Sequence, residues 1–349
     1  MTRNIPHGYS YLNERYPLLA QRLSHLPLAD LPTPLQPLGS NEQLWVKRDD
    51  LTHGLYGGNK VRKLEYLLAD ARRRGKRDVV TFGGVGSNHA LATALHAASN
   101  DLECTAMLMP QRMTDFVEGT LRRHQANGTK ITRYYHERSK RVASLRHLRD
   151  SGELAVVPMG GTSPLGSIGY VNAAFELAHQ WPANQPPPTR IYVAAGTMGT
   201  AAGLAVGVRL LGWPTQIVAT RVIDYDECNE AAIARLCEKI WRRLKRAAPS
   251  LPDISDPAAQ VAIRHYYLGD GYAHPTPAAL NAVREAGERW QLQLESTYTG
   301  KAMACMLDEL PQRAAQEDWV FWQTYSGTPT VGGHKALAGD YADFFSLCS

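Results

Sequence analysis

Apolar positions change their spacing along the chain, and the clearest example lies between residues 59 and 109. Apolar residues recur at helical spacing from Val61 to Leu68, which predicts an amphipathic helix beginning near Asn59. Two short runs of apolar and β-branched residues, Asp78–Phe82 and Cys104–Met109, predict strands. The alanine-rich stretch 90–98 between them predicts a helix. This order of strand, helix and strand is typical of parallel β-structure with crossover helices.

The same alternation returns in the second half of the chain. Strand Ile191–Ala195 is predicted before a glycine-rich loop, and helix Ala201–Leu210 and strand Gln216–Val222 follow. The stretch 224–256 has a helical pattern, and a short strand is predicted just before Tyr298. Trp319–Trp322 is a further apolar run. We therefore predict an α/β protein with mostly parallel sheets flanked by helices.

Composition narrows the class of protein. The 349 residues are 44% hydrophobic and 20% charged, which is typical of a globular chain long enough for two domains. No stretch approaches the roughly 18 apolar residues of a membrane span, and the start of the chain lacks the apolar region of a signal peptide. The five cysteines have no metal-like spacing. We expect a cytoplasmic protein with reduced thiols and no bound metal.

The net charge of +5 is a mild basic bias. Basic residues cluster at 138–149 and 242–246, and the simplest interpretation is two solvated helix faces. Binding of nucleic acid is the alternative, but no nucleic-acid motif or interleaved aromatic residue supports it. We therefore expect a small-molecule partner, with no nucleic acid and no membrane.

Candidate chemistry lies in polar loops at strand ends, where an open α/β sheet binds its ligand. The loop 196–200 lies between a strand and a helix, so its amides can bind a phosphate at the helix N-terminus. A tight turn that needs glycine explains the same residues equally well. In the loop 83–89, Ser87 and Asn88 either cap the following helix or bind a carboxylate. The stretches Tyr298–Lys301 and Tyr325–Thr328 are further loops of this kind.

Lys60 follows a Gly-Gly-Asn turn at the start of the first predicted helix. The positive end of the helix dipole disfavours a lysine ammonium at that place. The same environment lowers the pKa of the amine, as a lysine that forms a Schiff base requires. A functional role and an ordinary helix start remain alternatives on these local grounds.

Eight segments taken together resemble the D-cysteine desulfhydrase and 1-aminocyclopropane-1-carboxylate deaminase family of tryptophan-synthase-β-like (fold type II) pyridoxal-phosphate enzymes. In chain order they are PTPL at Pro32, KRDDLT at Lys47, GGNKVRKLE at Gly57, GSNHA at Gly86, GGTSPLGSIGY at Gly160, AAGTMGTAAGLAVG at Ala194, GYAHP at Gly271 and YTGKAM at Tyr298. The resemblance implies two open, twisted, mostly parallel sheets flanked by helices. It also implies a small domain at 64–174, a large domain at 1–63 and 175–349, and a homodimer.

The resemblance implies pyridoxal 5'-phosphate as cofactor and gives roles to its ligands. Lys60 resembles the Schiff-base lysine, which then moves the Cα proton. Asn59 is similar to the neighbour that frames the cofactor, and Asn88 to the group that hydrogen-bonds its phenolic oxygen. The residues that resemble the phosphate cup are Gly196, Thr197, Met198, Gly199 and Thr200.

The resemblance likewise implies a substrate site. Ser87 and the amides around His89 are similar to the holder of the substrate carboxylate. Tyr272 and Tyr298 resemble the two active-site tyrosines, with Tyr298 as the proton acceptor near the leaving group. Asn88 completes the set of substrate contacts.

Thr299 separates the two branches of this family. Ring-opening deaminases have a glutamate there, near the pyridine nitrogen, whereas the desulfhydrases have threonine. A cofactor without that carboxylate is a weaker electron sink, which suits β-elimination. The partner of the pyridine nitrogen stays open, because Thr324, Tyr325 and Ser326 stand where the family has threonine and two glycines.

We therefore predict a lyase that performs α,β-elimination on a small amino acid such as D-cysteine, giving pyruvate, ammonia and hydrogen sulfide. The alternatives are a 1-aminocyclopropane-1-carboxylate deaminase, a cysteate sulfo-lyase and a β-replacement enzyme. A cofactor-binding regulatory protein without turnover is a hypothesis of another class.

Overall fold

The computed structural model describes residues 9–39, 41–133, 154–326 and 336–348. They form two compact units. The first consists of residues up to Tyr66 and of Thr162–Gly327, and the second of Leu67–Gly161 and the residues from Thr328 onward. The basic cluster predicted at 138–149 lies outside the described residues.

The predicted helices and strands follow one another in the predicted order, except for the strand expected before Tyr298, and further elements lie between them. The described helices are α1 (Tyr11–Arg15), α2 (Pro17–Arg22), α3 (Lys60–Arg73), α4 (Asn88–Ala98), α5 (Asp115–Ala126), α6 (Ile168–Gln180), α7 (Gly199–Leu210), α8 (Glu230–Ala247), α9 (Pro277–Trp290), α10 (Thr299–Glu309) and α11 (Asp340–Cys348), with 3₁₀ turns at Asp49–Leu51, Met159–Gly161 and Leu310–Gln312. The described strands are β1 (Leu35–Leu38), β2 (Asn41–Arg48), β3 (Asp78–Gly84), β4 (Glu103–Met109), β5 (Lys130–Arg133), β6 (Leu154–Val156), β7 (Arg190–Ala195), β8 (Gln216–Arg221), β9 (Val261–Arg264) and β10 (Trp319–Gln323).

A six-stranded sheet of order β1-β2-β10-β7-β8-β9 organises the first unit. Only β1 pairs antiparallel, with β2, and the other pairs are parallel. Alternate residues of β7 enter two different cores: Ile191 and Val193 pack with α6, α7 and α8, whereas Tyr192 packs with α9 and α10. Burial on both faces explains why the central strands are continuous apolar runs.

A four-stranded parallel sheet of order β5-β4-β3-β6 organises the second unit. Its main core combines residues of α4, α5 and the sheet with Phe344 of the C-terminal helix α11. The two mostly parallel sheets with flanking helices confirm the predicted fold class. Within the part of the chain that is described, no helix has the length and apolar character that crossing a bilayer requires.

The ends of the compact units differ from the predicted domain limits of 64–174. Residues 162–174 belong to the first unit, because α6 packs closely on α7: a Cβ on Gly207 would lie 2.4 Å from the Ala174 Cβ. Helix α11 belongs to the second unit, because Phe344 is buried in that core. The strand predicted before Tyr298 is wrong, since residues 291–295 have no regular structure.

Candidate active site

Two glycines fix the turn that precedes Lys60. Gly58 has φ +87°, which L-residues rarely adopt, and its amide donates to the Asp49 carbonyl over 2.8 Å. A Cβ on Gly57 would lie 2.2 Å from the Asp50 carbonyl oxygen. The Thr52 hydroxyl ties the turn together by contacting the carbonyls of Asp49 and Gly58. The turn therefore delivers Lys60 as the first residue of α3.

The Lys60 amine has an amide as its hydrogen-bond partner. Its Nζ donates to Asn59 Oδ1 over 2.7 Å, and Asn59 Nδ2 donates to Thr200 Oγ1 over 3.0 Å. Burial lowers the pKa of Lys60 to about 8, and the Glu295 carboxylate opposes this shift. A large share of this amine is therefore neutral near pH 8, as a nucleophilic lysine requires.

The loop 196–200 forms a polar pocket at the start of α7. Met198 has φ +62° and no side chain caps the helix among the described residues, so its first amides remain available to an anion. A Cβ on Gly199 would lie 2.5 Å from Thr162 Oγ1, 3.0 Å from Ser167 Oγ and 3.1 Å from Lys63 Nζ. Only glycine leaves room among these polar atoms.

The groups around Gly199 suit an anionic ligand. The Ser167 hydroxyl is fully buried and has no hydrogen-bond partner in the described part of the chain. Lys63 is 2% exposed, and burial together with Lys60 holds its pKa well below the usual range. The hydroxyl oxygens of Thr162 and Thr197 are 2.7 Å apart. A buried hydroxyl such as that of Ser167 normally has a hydrogen-bond partner, and together with the lysine and the two threonines beside it this pocket fits a phosphate group.

Two tyrosines lie beside this loop. The Tyr298 ring packs on Gly196, because a Cβ there would lie 3.4 Å from Tyr298 Cε1. The hydroxyls of Tyr272 and Tyr298 are 2.7 Å apart, and their rings meet edge to face. Burial and the Tyr272 hydroxyl raise the pKa of Tyr298 well above its ordinary value. The pair therefore stays protonated at neutral pH and can donate or pass on a proton.

Glu295 caps the start of α10. Its carboxylate accepts hydrogen bonds from the amides of Thr297 (2.7 Å), Tyr298 (2.9 Å) and Thr299 (2.8 Å). The Thr299 hydroxyl donates a hydrogen bond to the same carboxylate over 3.1 Å. It also accepts a hydrogen bond from the Glu295 amide over 3.0 Å. The Thr299 hydroxyl is thus engaged with Glu295, and the two residues fix the backbone on which Tyr298 stands.

The segment 324–326 lies behind the turn at Gly57. The Asn59 amide donates to the Thr324 carbonyl over 3.1 Å, and the Gly57 amide donates to Ser326 Oγ over 3.1 Å. Ser326 therefore supports the turn that carries Lys60. The role of Thr324, Tyr325 or Ser326 at the pyridine nitrogen stays a prediction.

Ser87, Asn88 and His89 belong to the second unit. Ser87 Oγ accepts the Ala90 amide over 3.2 Å and caps α4, which begins at Asn88. His89 Nε2 lies 3.0 Å from the Thr81 hydroxyl and 3.2 Å from the Gly161 amide. Capping is thus present, and the roles of these residues toward a substrate carboxylate and a cofactor stay predictions.

The first unit brings together most of the predicted site residues, and it adds four that the sequence did not single out. The added residues are Lys63, Thr162, Ser167 and Glu295. Lys63 had a signal, because residues i and i+3 share a helix face, which places it beside Lys60. Thr162 and Ser167 lie in the segment that begins at Gly160, but their spacing alone does not indicate a phosphate.

Comparison with known proteins identifies the class of enzyme. A family model described as "Pyridoxal-phosphate dependent enzyme" matches residues 24–324. The chain belongs to this family of pyridoxal-phosphate dependent enzymes. The match confirms the predicted family, cofactor and enzymatic class.

Relatives within the family carry different activities. Nocardicin C-9' epimerase of Nocardia uniformis subsp. tsuyamanensis is 32% identical over 87% of this chain and 93% of its own length. D-cysteine desulfhydrase of Serratia proteamaculans is 32% identical over 86% of this chain and 93% of its own length. A crystal structure of a homologue of ACC deaminase superposes with a TM-score of 0.74 at 28% identity, covering 95% of this chain and 98% of that one. Maize serine racemase, at 17% identity and a TM-score of 0.58, shares the fold.

Proposed function

We propose that this pyridoxal-phosphate-dependent lyase performs α,β-elimination on a small amino acid, with D-cysteine as the model substrate. The observation that carries the proposal is the Lys60 amine, with its lowered pKa and its hydrogen-bonded link through Asn59 to Thr200. The relatives that are D-cysteine desulfhydrases support the choice of substrate. The overall reaction balances as cysteine and water giving pyruvate, ammonia and hydrogen sulfide.

The residues of the first unit fit the cofactor. Thr162, Ser167, Lys63 and the start of α7 around Gly199 would hold its phosphate. Pyridoxal phosphate, when bound, supplies an aldehyde carbon that joins to an amine and a ring that withdraws electrons from the substrate Cα. Asn59 keeps the Lys60 amine directed to one side through the 2.7 Å hydrogen bond.

Proton transfer falls to two groups of this chain. Lys60 removes the Cα proton as a neutral amine, for which a pKa of about 8 is well matched to neutral pH. The hydroxyl pair of Tyr272 and Tyr298 donates a proton to the departing sulfur, so that hydrogen sulfide leaves rather than its anion. The Glu295 cap orients Tyr298 through the backbone amides at the start of α10.

Thr299 favours elimination over ring opening. A threonine hydroxyl cannot hold the negative charge that a glutamate would place near the pyridine nitrogen, and here its proton is engaged by Glu295. Expulsion of a good leaving group such as a thiol needs less electron withdrawal than cleavage of a carbon ring. Cysteate sulfo-lyase and β-replacement activity use the same elimination step. In the substrate test below, keto acid from L-cysteate alone would indicate the sulfo-lyase, and no keto acid from any substrate would favour replacement.

Epimerisation at Cα is a second candidate function. The nocardicin C-9' epimerase relative supports it, since it covers as much of the chain as the desulfhydrases do. The Tyr272–Tyr298 hydroxyl pair also supplies a proton donor besides Lys60. An epimerase exchanges the Cα hydrogen with solvent deuterium and inverts configuration without producing keto acid.

A substrate panel tests the proposal. Purified holoenzyme is incubated with D-cysteine, L-cysteine, L-cysteate, D-serine, β-chloro-D-alanine and 1-aminocyclopropane-1-carboxylate, and keto acid, ammonia and sulfide are measured. Elimination predicts keto acid from β-substituted alanines, with sulfide from cysteine. Keto acid from the cyclopropane alone would contradict the inference from Thr299. Deuterium exchange without keto acid would favour epimerisation instead.

We also propose a cytoplasmic homodimer that takes a small amino acid as its partner. The family resemblance supports the dimer, and the thiols of Cys104, Cys228, Cys237 and Cys305, all buried and unbridged, are compatible with a reducing compartment. Sedimentation equilibrium of the holoenzyme tests the dimer, which a monomer mass would contradict.

A further inference from the structure

Lys301 is a buried lysine in an unfavourable place. Its side chain is 0% exposed, and it is the third residue of α10, where the helix dipole is positive. Its Nζ donates to the Leu268 carbonyl over 2.7 Å and reaches the Gly271 carbonyl at 3.4 Å. Removing an ammonium from water is costly, and an apolar side chain of similar length would fill the same space at less cost. Packing therefore does not account for the amine.

The two carbonyls belong to a segment with unusual backbone geometry. Gly271 has φ +144° and Ala273 has φ +62°, both outside the range that L-residues prefer. Gly269 also has a positive φ, and a Cβ there would lie 2.5 Å from Thr276 Cγ2. Backbone in such conformations persists only when surrounding contacts hold it. The Lys301 ammonium is one such contact, and it joins the segment to the start of α10.

Tyr272 lies between the two unusual residues. Its side chain is 45% exposed, so packing alone holds it only weakly. Its hydroxyl lies 2.7 Å from that of Tyr298, the residue directly before α10. The start of α10 thus holds Tyr272 at two points. Lys301 contacts the main chain just before Tyr272, and Tyr298 contacts the Tyr272 hydroxyl.

We propose that Lys301 is a positioning residue, which fixes the segment 268–273 so that the Tyr272 hydroxyl stays on Tyr298. The kinetic consequence rests on the proposed function, in which this hydroxyl pair protonates the leaving group. Loss of the Lys301 amine would release the segment, and Tyr272 would leave Tyr298. The value of kcat/KM would fall because Tyr272 is displaced, whereas cofactor binding around Gly199 would stay unchanged.

A double-mutant cycle with a structural readout tests the proposal. In the holoenzyme, Lys301→Met is expected to raise hydrogen exchange of the amides at 268–273 about tenfold and to lower kcat/KM about tenfold. The visible absorbance of the cofactor and its affinity stay as in the wild type. In a Tyr272→Phe background, Lys301→Met is expected to lower kcat/KM by less than about twofold further, because the two residues act together. Lys239→Met, which changes an exposed lysine of α8, is the matched control.

Two results would overturn the proposal: unchanged exchange at 268–273, or losses in kcat/KM that multiply independently in the double variant. Should Lys301→Met fail to fold, Lys301→Gln keeps an N–H donor without the charge, and the same two readouts decide. Hydrogen exchange needs no turnover. An enzyme inactive on every substrate would therefore refute the proposed function, while the exchange result still decides the role of Lys301.

Discussion

The first unit contains two sets of buried or partly buried basic residues, and they differ in their partners. In the buried ion network, Arg62 donates to Asp49 Oδ1 over 2.7 Å and to Glu176 Oε2 over 2.8 Å, and Lys47 also contacts Glu176. All four side chains are 0% exposed. Although burial acts to raise it, the pKa of Glu176 is held at about 2 by Arg62 and Lys47. Charges in this network balance, and none is placed to react.

The basic residues of the candidate site have neutral partners. Lys60 donates to an amide oxygen and Lys301 to main-chain carbonyls, and burial lowers the pKa of both. A carboxylate in direct contact would stabilise the ammonium form, whereas an amide or carbonyl does so less. The comparison teaches that buried cations matched by carboxylates serve the fold, whereas an amine with neutral partners is left for another role, which is reactive at Lys60 and positioning at Lys301.

Replacing Lys60 should give the largest effect on activity. Lys60→Ala removes both the covalent attachment point of the cofactor and the group that takes the Cα proton, so turnover should fall on the order of 10³-fold or more. The visible absorbance of the purified protein should disappear, which a spectrum measures directly. The exposed control Lys239→Ala should keep both. A Lys60→Ala variant that stays yellow and active would contradict the assignment of Lys60 as the reactive amine of the site.

Breaking the ion network should affect stability first. Arg62→Met removes the cation of Asp49, while Lys47 still contacts Glu176, so one buried negative charge is left uncompensated, which should cost about 3–5 kcal/mol of unfolding free energy. Urea denaturation of the apoenzyme measures this loss. The exposed Arg72→Met on the same helix should change stability by less than about 0.5 kcal/mol. A loss for Arg62→Met as small as that of the control would contradict a structural role.

Filling the phosphate pocket should weaken cofactor binding. In Gly199→Ala the new Cβ would lie 2.5 Å from Thr162 Oγ1, so the polar groups around it must shift. The Kd for pyridoxal phosphate should rise about tenfold, or 1.4 kcal/mol, in a titration of the apoenzyme. Gly287→Ala has open space around its Cβ and serves as control. Equal affinity of the two variants would place the phosphate elsewhere.

The smallest expected effect is the pH dependence of cofactor attachment. Only the neutral amine reacts, so the rate of attachment to the apoenzyme should rise with pH and level off above about 8, the pKa of Lys60. The stability of the apoenzyme should also increase with pH. Between pH 8 and 10.5 the Lys60 amine binds more protons in the unfolded state than in the folded one. The lowered pKa of Lys60 therefore makes the apoenzyme more stable as pH rises. Lys60→Met should lack both responses, and a rate still rising at pH 10 would contradict the lowered pKa.

Local patterns in the sequence account for much of the candidate site. The Gly-Gly-Asn turn before Lys60 and the glycine-rich loop before α7 are short-range signals, and both lie at helix starts as predicted. The contacts of the site could not be predicted in the same way. Lys63 and Ser167 are far apart in sequence, and only the folding of α3 and α6 brings both close to Gly199. The ion network likewise joins Lys47 to Glu176 across more than a hundred residues.

One false prediction has a clear physical cause. Leu292 and Leu294 alternate with polar residues, which is the pattern of a half-buried strand. Both side chains are buried in the core of the first unit, but the segment 291–295 pairs with no strand among the described residues. An extended loop that packs on a core produces the same alternation. Burial was therefore predictable at these positions, and hydrogen-bonded pairing was not.

Reductive labelling tests the central claim most directly. The holoenzyme is treated with borohydride, which reduces the bond between cofactor and lysine to a stable amine, and the modified peptide is identified by mass spectrometry. We predict that the pyridoxyl group lies on Lys60, whose pKa is lowered to about 8. A label on Lys63 or Lys301 instead would contradict the assignment of Lys60 as the lysine that carries the cofactor.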